Sequence, residues 1–257
     1  MHRYRARRIL RADHRGSSWP VLAETEAGVF YTKLRSAAQA PASLRAELIV
    51  GALADALGLN VPARVLIEIP PGLDSEDRRD ELLDLVRASA GLNLGFQLLP
   101  EPQDFRADDL ARVEPALAST IVWLDGLVLN PDRTIHNPNL LWSHERLWLI
   151  DHGACLGFQH DWAHVTEQAP RAPWTHFERH VLRSRATQLT ELDQSLATRI
   201  DRVTLEAAVA LVPDEFFTPR RRGAFEAFLW KRLKAPRPFL SSSGEASFAV
   251  EEGQPPC

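Results

Sequence analysis

The chain has 257 residues, of which 45% are apolar and 25% charged, so it is long enough to bury a sizeable core. The net charge of -4 gives no basis for nucleic-acid binding, and no apolar run is long enough to span a membrane, so we expect neither partner. Two cysteines exclude a disulfide framework, and the basic N-terminus lacks the apolar stretch of a signal peptide, so we expect a cytoplasmic protein.

The first hundred residues are rich in short apolar runs separated by polar turns. Such runs, bounded by Gly, Ser and Pro, predict β-strands at 4–10, 20–23, 29–34, 65–69 and 94–99. Two helices are predicted among them. The first begins at Ser43 as N-cap and ends at Gly58, and the second is a charged, peripheral helix over about 75–90.

The character of the chain changes after the Pro-rich break at 100–102. A long apolar helix is predicted over 107–128, then a loop at 130–139, two short strands at 140–142 and 147–150, and helices from 186 to 233. We therefore predict an α+β fold with two unequal lobes. A smaller β-rich N-lobe occupies 1–100, a mainly helical C-lobe 101–236, and a disordered tail 237–257.

Two side chains in the N-terminal part stand out. Lys33 is one of only three lysines among 30 basic residues, which suggests a position where a planar arginine would not serve. Glu47 lies at the edge of the apolar stripe of the first predicted helix, where a carboxylate needs a cationic partner, and Lys33 is the natural candidate.

The strongest signal is a fixed order of polar residues around the predicted hairpin. Asp132 lies in the loop after the long helix, Asn137 follows five residues later, and Asp151 starts an Asp-His-Gly triplet directly after the second strand. Phosphoryl transfer needs a carboxylate beside the attacking hydroxyl, and a second carboxylate with an amide oxygen to hold Mg²⁺. The hairpin should fold back so that Asp151 lies beside Asn137. The sequence therefore indicates an ATP-dependent phosphotransferase.

Upstream of Lys33, the turn Gly16-Ser17-Ser18 offers backbone N–H groups and small hydroxyls that can bind phosphate oxygens. With this turn, the Phe30-Tyr31-Thr32-Lys33 strand and the loop and hairpin at 130–153, the chain resembles the small HipA-like kinases, whose fold is a variant of the protein-kinase fold. The resemblance covers roughly 4–235 and is most specific at 130–153.

The resemblance implies a role for each matching position. Asp132 would be the catalytic base, and Asn137 and Asp151 would hold Mg²⁺. In the ATP site, Lys33 would contact the phosphates and Glu47 would position Lys33. The loop Gly16, Ser17 and Ser18 would cover the phosphates, and a hinge from Gln97 to Leu99 would lie beside adenine. Transfer of the γ-phosphate of ATP to a protein Ser or Thr is the implied reaction.

The chain also departs from related kinases. Asn-Pro precedes Asp132 where protein kinases have His-Arg, and His152 follows Asp151 where they have Phe, so a switch built on that Phe is not expected. The chain has no room for the extra N-terminal subdomain of the HipA toxins, so neither a toxin role nor a DNA-binding partner follows.

Three other functions remain open from the residues. His160 and His164 have the i,i+4 spacing of a zinc-binding helix, but the sequence lacks the glutamate of a metalloprotease motif. An ATP-binding pseudokinase or scaffold would keep the same polar residues without turnover. A small-molecule kinase of the aminoglycoside or choline type uses a similar catalytic loop. The stretch from Asp161 to Trp174, rich in Pro, Trp and His, is a candidate for partner recognition.

Overall fold

The computed structural model describes residues 1–12, 19–37, 40–217 and 221–240. Its N-terminal part is a closed five-stranded barrel in the order β1-β2-β3-β5-β4. The strands are β1 (Arg3–Ala12), β2 (Val21–Thr25), β3 (Gly28–Lys33), β4 (Arg64–Ile69) and β5 (Gly91–Gln97). Strands β1 and β4 pair in parallel and the other neighbours are antiparallel. The five predicted strands are thus confirmed, although their closure into a barrel was not predicted.

The barrel closes around alternating apolar side chains. In β2 and β4 every second residue is buried, so Val21, Ala23, Ile67 and Ile69 point inward together with Ile9 of β1. Helix α2 (Asp80–Ala88) adds Leu82 and Val86 to this cluster. Its polar remainder faces outward, as expected for a peripheral helix, but it begins five residues later than predicted.

Helix α1 (Ala42–Ala56) leaves the barrel and packs in the larger hydrophobic cluster, where it contacts a helix near the C-terminus. The prediction that Ser43 caps this helix is wrong. Pro41 takes the N-cap position and no side chain caps the helix, because Ser43 already lies within the first turn. A tight approach brings Ser43 Cβ within 3.1 Å of where a Cβ on Gly153 would lie.

The long helix predicted over 107–128 is interrupted. A 3-10 helix, Ala107–Arg112, is followed by α3 (Pro115–Leu127), because Pro115 lacks a backbone N–H and starts a new helix at its first position. After α3 come β7 (Leu140–Ser143) and β8 (Arg146–Leu149), which match the predicted hairpin and are joined at their edge by β6 (Gln103–Asp104). Two residues are too few for a periodic signal, so β6 was not predicted.

Beyond the hairpin the chain runs through short 3-10 turns over 157–188 and ends in α4 (Leu189–Arg199), α5 (Arg202–Ala210) and α6 (Arg222–Leu233). The α+β class is therefore confirmed. No helix among the described residues is long and apolar enough to cross a membrane.

The C-terminal boundary lies further along the chain than predicted. Phe239 is buried against Trp123, with ring centroids 5.5 Å apart, and Arg237 pairs with Asp193. The packed chain extends at least to Leu240 because these side chains complete the core beside α3 and α4. The remainder of the predicted tail lies outside the described residues.

Candidate active site

Lys33, at the end of β3, joins the barrel to the hairpin. Its Nζ lies 2.5 Å from Glu47 Oε1 on α1 and 2.7 Å from Asp151 Oδ1, which follows β8. The structure thus contains the Lys33–Glu47 pair that the sequence predicts, and it adds Asp151 as a second carboxylate. We call Lys33, Glu47 and Asp151 the lysine triad.

The lysine triad is buried at one end and open at the other. The side chains of Lys33 and Glu47 are 9% and 1% exposed, whereas that of Asp151 is 47% exposed. Burial alone would lower the pKa of Lys33, but the charges of Glu47 and Asp151 outweigh it and raise that pKa. Burial alone would raise the pKa of Glu47, but Lys33 and His152 lower it. Lys33 and Glu47 are therefore both expected to carry charge at neutral pH.

The residues after Asp151 hold this arrangement in place. His152 is 3% exposed, and its Nδ1 lies 3.5 Å from Glu47 Oε2. Asp151 has a φ of 53°, in the left-handed region that non-glycine residues seldom adopt. This backbone turn ends the hairpin and directs the Asp151 side chain to Lys33 while the next side chain, His152, is buried behind Glu47.

Asp132 lies in the loop after α3 and accepts two side-chain amide hydrogen bonds. Asn137 Nδ2 donates to its Oδ2 at 2.9 Å, and Asn139 Nδ2 donates to the same oxygen at 3.1 Å. The backbone N–H of Asp132 donates to Asn130 Oδ1 at 2.9 Å. Two asparagines thus fix the carboxylate and a third fixes its backbone. The amide oxygens of Asn137 and Asn139 accept no hydrogen bond from the described residues.

The hairpin returns to this loop at Asn139 rather than at Asn137. The backbone N–H of Ile150 donates to Asn139 O at 3.1 Å. The residue directly before Asp151 thus contacts the loop. Asn139 is 8% exposed, whereas Asn137 is exposed and its contacts are with Asp132 and Thr134. The hairpin therefore returns to the loop, but its backbone partner there is Asn139, and the proximity of Asp151 to Asn137 stays a prediction.

A second charge network lies beneath the loop, and it is fully buried. Asp125 on α3 accepts from Asn130 Nδ2 at 2.8 Å, from Arg133 Nε at 2.7 Å and from His180 Nε2 at 2.9 Å. Burial would raise the pKa of Asp125, but Arg133 and His180 outweigh it and lower that pKa. We call Asp125, Arg133 and His180 the buried network.

The remaining predicted ATP-site residues are placed only in part. Gly16, Ser17 and Ser18 lie outside the described residues. Gln97 ends β5 opposite Phe30, and Leu99 follows in the connection to β6, which is where the predicted hinge falls. His160 and His164 lie on separate 3-10 helices, so their spacing does not place them on one α-helix, and His164 pairs with Asp161 instead. Among the described residues, no group of three or more His, Cys, Asp and Glu is arranged to bind a metal.

Sequence reasoning missed Asn139, His152 and the buried network. Asp125 carried a signal, because it is the single carboxylate inside the apolar stretch 121–129, where a charge needs a partner. His180 gave none, since its partner is 55 residues away in sequence. The two asparagines, two residues apart, are equivalent in sequence and are separated only by burial.

The donor set has a definite chemical character. One fixed carboxylate lies beside free amide oxygens, and a second, exposed carboxylate is held by a charged lysine. Hard oxygen donors of this kind suit Mg²⁺, and a buried ammonium suits phosphate oxygens. The residues therefore fit a magnesium–nucleotide complex.

Comparisons with known proteins agree with this chemistry. A sequence model of the HipA-like kinase family matches residues 6–227. Among solved structures, the chain is similar to the proinflammatory kinase CtkA of Helicobacter pylori, with a TM-score of 0.54 and 13% identity over 87% of this chain and 92% of that one. At that identity the likeness concerns the fold. No curated protein matches the sequence.

Proposed function

We propose, from the premise that the chain belongs to the HipA-like kinase family, that this kinase transfers the γ-phosphate of ATP to a serine or threonine hydroxyl of a protein. The observation that carries the proposal is the lysine triad. A buried lysine on the barrel pairs with the exposed Asp151, which follows the hairpin. Just before the hairpin, Asn139 donates to the carboxylate of Asp132. Such a lysine and two such carboxylates are the groups that phosphoryl transfer requires.

Asp132 acts as the base in this proposal. Asn137 and Asn139 both donate to its Oδ2, so Oδ1 is left to accept the proton of the attacking hydroxyl. Because the amides fix the carboxylate, the hydroxyl is oriented without a further cost in side-chain entropy. The hydrogen bond from the backbone N–H of Asp132 to Asn130 Oδ1 ties the loop to α3, because Asn130 also donates to Asp125 of that helix.

Asp151 and the amide oxygens of Asn137 and Asn139 are the residues that would hold Mg²⁺. ATP would supply the phosphoryl group, and the metal would neutralise the negative charge that develops on it. Lys33 binds phosphate oxygens as a fixed cation, and Glu47 holds its Nζ toward Asp151. Gly16, Ser17 and Ser18 would cover the phosphates, and the connection from Gln97 to Leu99 would face adenine.

The two-lobed kinase arrangement is part of the same proposal. The five-stranded barrel forms the smaller lobe, and the hairpin with α3 to α6 forms the larger one. The chain crosses between the two lobes at 98–102. Lys33 then belongs to one lobe and Asp151 to the other, so their ion pair spans the cleft in which ATP binds. A cytoplasmic enzyme is expected, because the two cysteines exclude a disulfide framework.

The charge of the segment after the hairpin favours a protein acceptor over a polycationic small molecule. We call residues 157–188 the post-hairpin segment. It carries four arginines against three carboxylates, so it offers no acidic surface for an aminoglycoside.

The test is ATP turnover of the purified protein, read as γ-phosphate release and as added mass on protein acceptors. Asp132→Asn and Asp151→Asn are compared with Asp84→Asn, an exposed carboxylate on α2 that pairs only with Arg87 among the contacts described. Both site variants should lose at least about 10³-fold in kcat, and the control should match the wild type.

Each outcome has a distinct meaning. Tight ATP binding without turnover would leave a pseudokinase, and no ATP binding would reject the proposal. Turnover accelerated by small alcohols or amines, but not by a protein extract, would favour the small-molecule alternative.

A further inference from the structure

Asp125 is the most buried carboxylate near the candidate site, and the proposed reaction does not use it. Its side chain is 0% exposed and both oxygens are engaged, Oδ1 by Asn130 and Oδ2 by Arg133 and His180. Burying a carboxylate and a guanidinium costs several kcal/mol of desolvation, which their attraction offsets only with full hydrogen bonding. Replacing such a pair by apolar residues of equal volume is often neutral or stabilising, so stability alone does not explain the network.

One side of the network reaches Asp132. Asn130, held by Asp125, accepts the backbone N–H of Asp132. Arg133, held by the same carboxylate, donates through Nη1 to Asn139 O, and Asn139 Nδ2 donates to Asp132 Oδ2. Two independent chains of hydrogen bonds thus run from Asp125 to the catalytic carboxylate, one to its backbone and one to its side chain.

The other side of the network reaches the post-hairpin segment. His180 Nδ1 accepts the backbone N–H of Leu182 at 3.0 Å, so its proton is on Nε2 and points to Asp125. Two backbone contacts join the same stretch to the loop: a bridge between Thr134 and His180, and Val181 N–H to Arg133 O at 3.1 Å.

A third contact lies further along the segment. Trp174 Nε1 donates to Asn130 O at 3.0 Å, and the indole is 2% exposed. The loop is therefore fastened to the segment at Asn130, Arg133 and Thr134, around one carboxylate.

In kinases that are switched by phosphorylation, a phosphate on the segment after the metal-binding loop pairs with an arginine and orders the segment. Here Pro131 stands directly before Asp132, where protein kinases have an arginine, and Arg133 directly after it is 1% exposed and already paired with Asp125. Neither residue offers a guanidinium to a phosphate. We propose, on the basis of the function proposed above, that Asp125 is a positioning residue. It fixes the loop of Asp132 and the post-hairpin segment as one unit, so that this kinase is active without a phosphate on that segment.

The experiment uses the full chain after phosphatase treatment, with removal of phosphate verified by intact mass. Turnover of magnesium–ATP and the Kd for ATP are measured for the wild type, Asp125→Asn and His180→Gln. The control is Asp193→Asn, which removes a charge paired with Arg237 and bonded to Trp123 elsewhere in the helical part. Melting temperatures establish that each variant is folded.

The phosphate-free wild type should keep full kcat. Asp125→Asn should lower kcat by about 10- to 100-fold and leave the ATP Kd within about twofold, because the loop, not the nucleotide site, loses its order. His180→Gln should do the same to a smaller extent, and Asp193→Asn should lower the melting temperature without changing kcat. Unchanged kcat in Asp125→Asn, or loss of wild-type activity on dephosphorylation, would overturn the inference.

Hydrogen exchange separates this inference from the proposed function. In Asp125→Asn, peptides covering 130–139 and 174–182 should lose protection together, by about 10-fold or more, whether or not the wild type turns over ATP. If the wild type is inactive but the two peptides lose protection together, the function is wrong and the coupling stands. If protection is lost in one peptide only, the coupling is wrong.

Discussion

The lysine triad and the buried network are both built around a carboxylate with almost no solvent exposure, yet they differ at their far ends. Glu47 is linked through Lys33 to Asp151, which is 47% exposed, whereas Asp125 is linked to Arg133 and His180, which are both buried. An ion pair with one open end can exchange its partner for a ligand. A closed one can only hold its surroundings in place. The two regions therefore suit binding and positioning respectively.

The largest effect on stability should come from opening the closed network. Asp125→Ala leaves the guanidinium of Arg133 buried without a counter-charge, so the free energy of unfolding should fall by about 3–5 kcal/mol. Chemical denaturation of the variant and the wild type measures this directly. A loss below about 1 kcal/mol would mean that water reaches Arg133 and that the network is not closed.

The lysine triad should respond less strongly and should be repairable. Lys33→Met leaves Glu47 buried with only the longer contact to His152 and should cost about 2–4 kcal/mol, partly relieved because protonation of Glu47 becomes possible. Adding Glu47→Leu removes the stranded charge and should restore about 1–3 kcal/mol, the size of a coupling between neighbouring residues.

Turnover should not return with stability in this double variant. A double-mutant cycle, measured for stability and kcat on the same preparations, separates the two roles. Additive stability losses would show that the pair is not coupled.

The same contrast explains what the sequence reveals. The barrel strands were predictable because alternation in β2 and β4 is a local pattern, and the order Asp132, hairpin, Asp151 was predictable because each residue lies at the edge of a local element. Lys33 and Glu47 stood out from their composition and helical position. All of these signals are read within a few residues.

What the sequence did not reveal depends on contacts between distant parts of the chain. His180 meets Asp125 only after the post-hairpin segment has folded back beneath the loop. Unlike Asn137, Asn139 is buried, and Ile150 N–H and Arg133 Nη1 both donate to its carbonyl oxygen. The interruption of the helix predicted over 107–128 follows from one residue, Pro115, at which α3 begins and whose effect the long apolar run around it hid.

Lowering the pH should reduce the stability that the buried network contributes. The pKa of Asp125 is lowered by folding, because Arg133 and His180 outweigh its burial. The unfolded chain then binds a proton at a higher pH than the folded one, so the stabilisation is complete above about pH 4 and declines as the pH falls further.

The difference in unfolding free energy between the wild type and Asp125→Asn should therefore be constant from about pH 7 to 5 and shrink below about pH 4. Denaturation curves at a series of pH values measure it. A difference that grows in acid would reverse the sign and contradict the assigned contacts.

The smallest effect on stability is expected at Asp151, where the effect on activity is expected to be among the largest. Its carboxylate is half exposed, and surface ion pairs contribute between about 0 and 1 kcal/mol, so Asp151→Asn should lower the free energy of unfolding by less than about 1 kcal/mol. The same substitution removes a negatively charged oxygen from the proposed magnesium site and should nearly abolish turnover.

Binding of the metal provides the direct check on Asp151. In thermal-shift measurements, magnesium–ATP should raise the melting temperature of the wild type by several degrees and that of Asp151→Asn by much less. ATP without the metal should change both melting temperatures equally. Equal stabilisation of both proteins by magnesium–ATP would place the metal away from Asp151. The open end of the lysine triad would then be a structural contact like the closed one, and the distinction between the two regions would be lost.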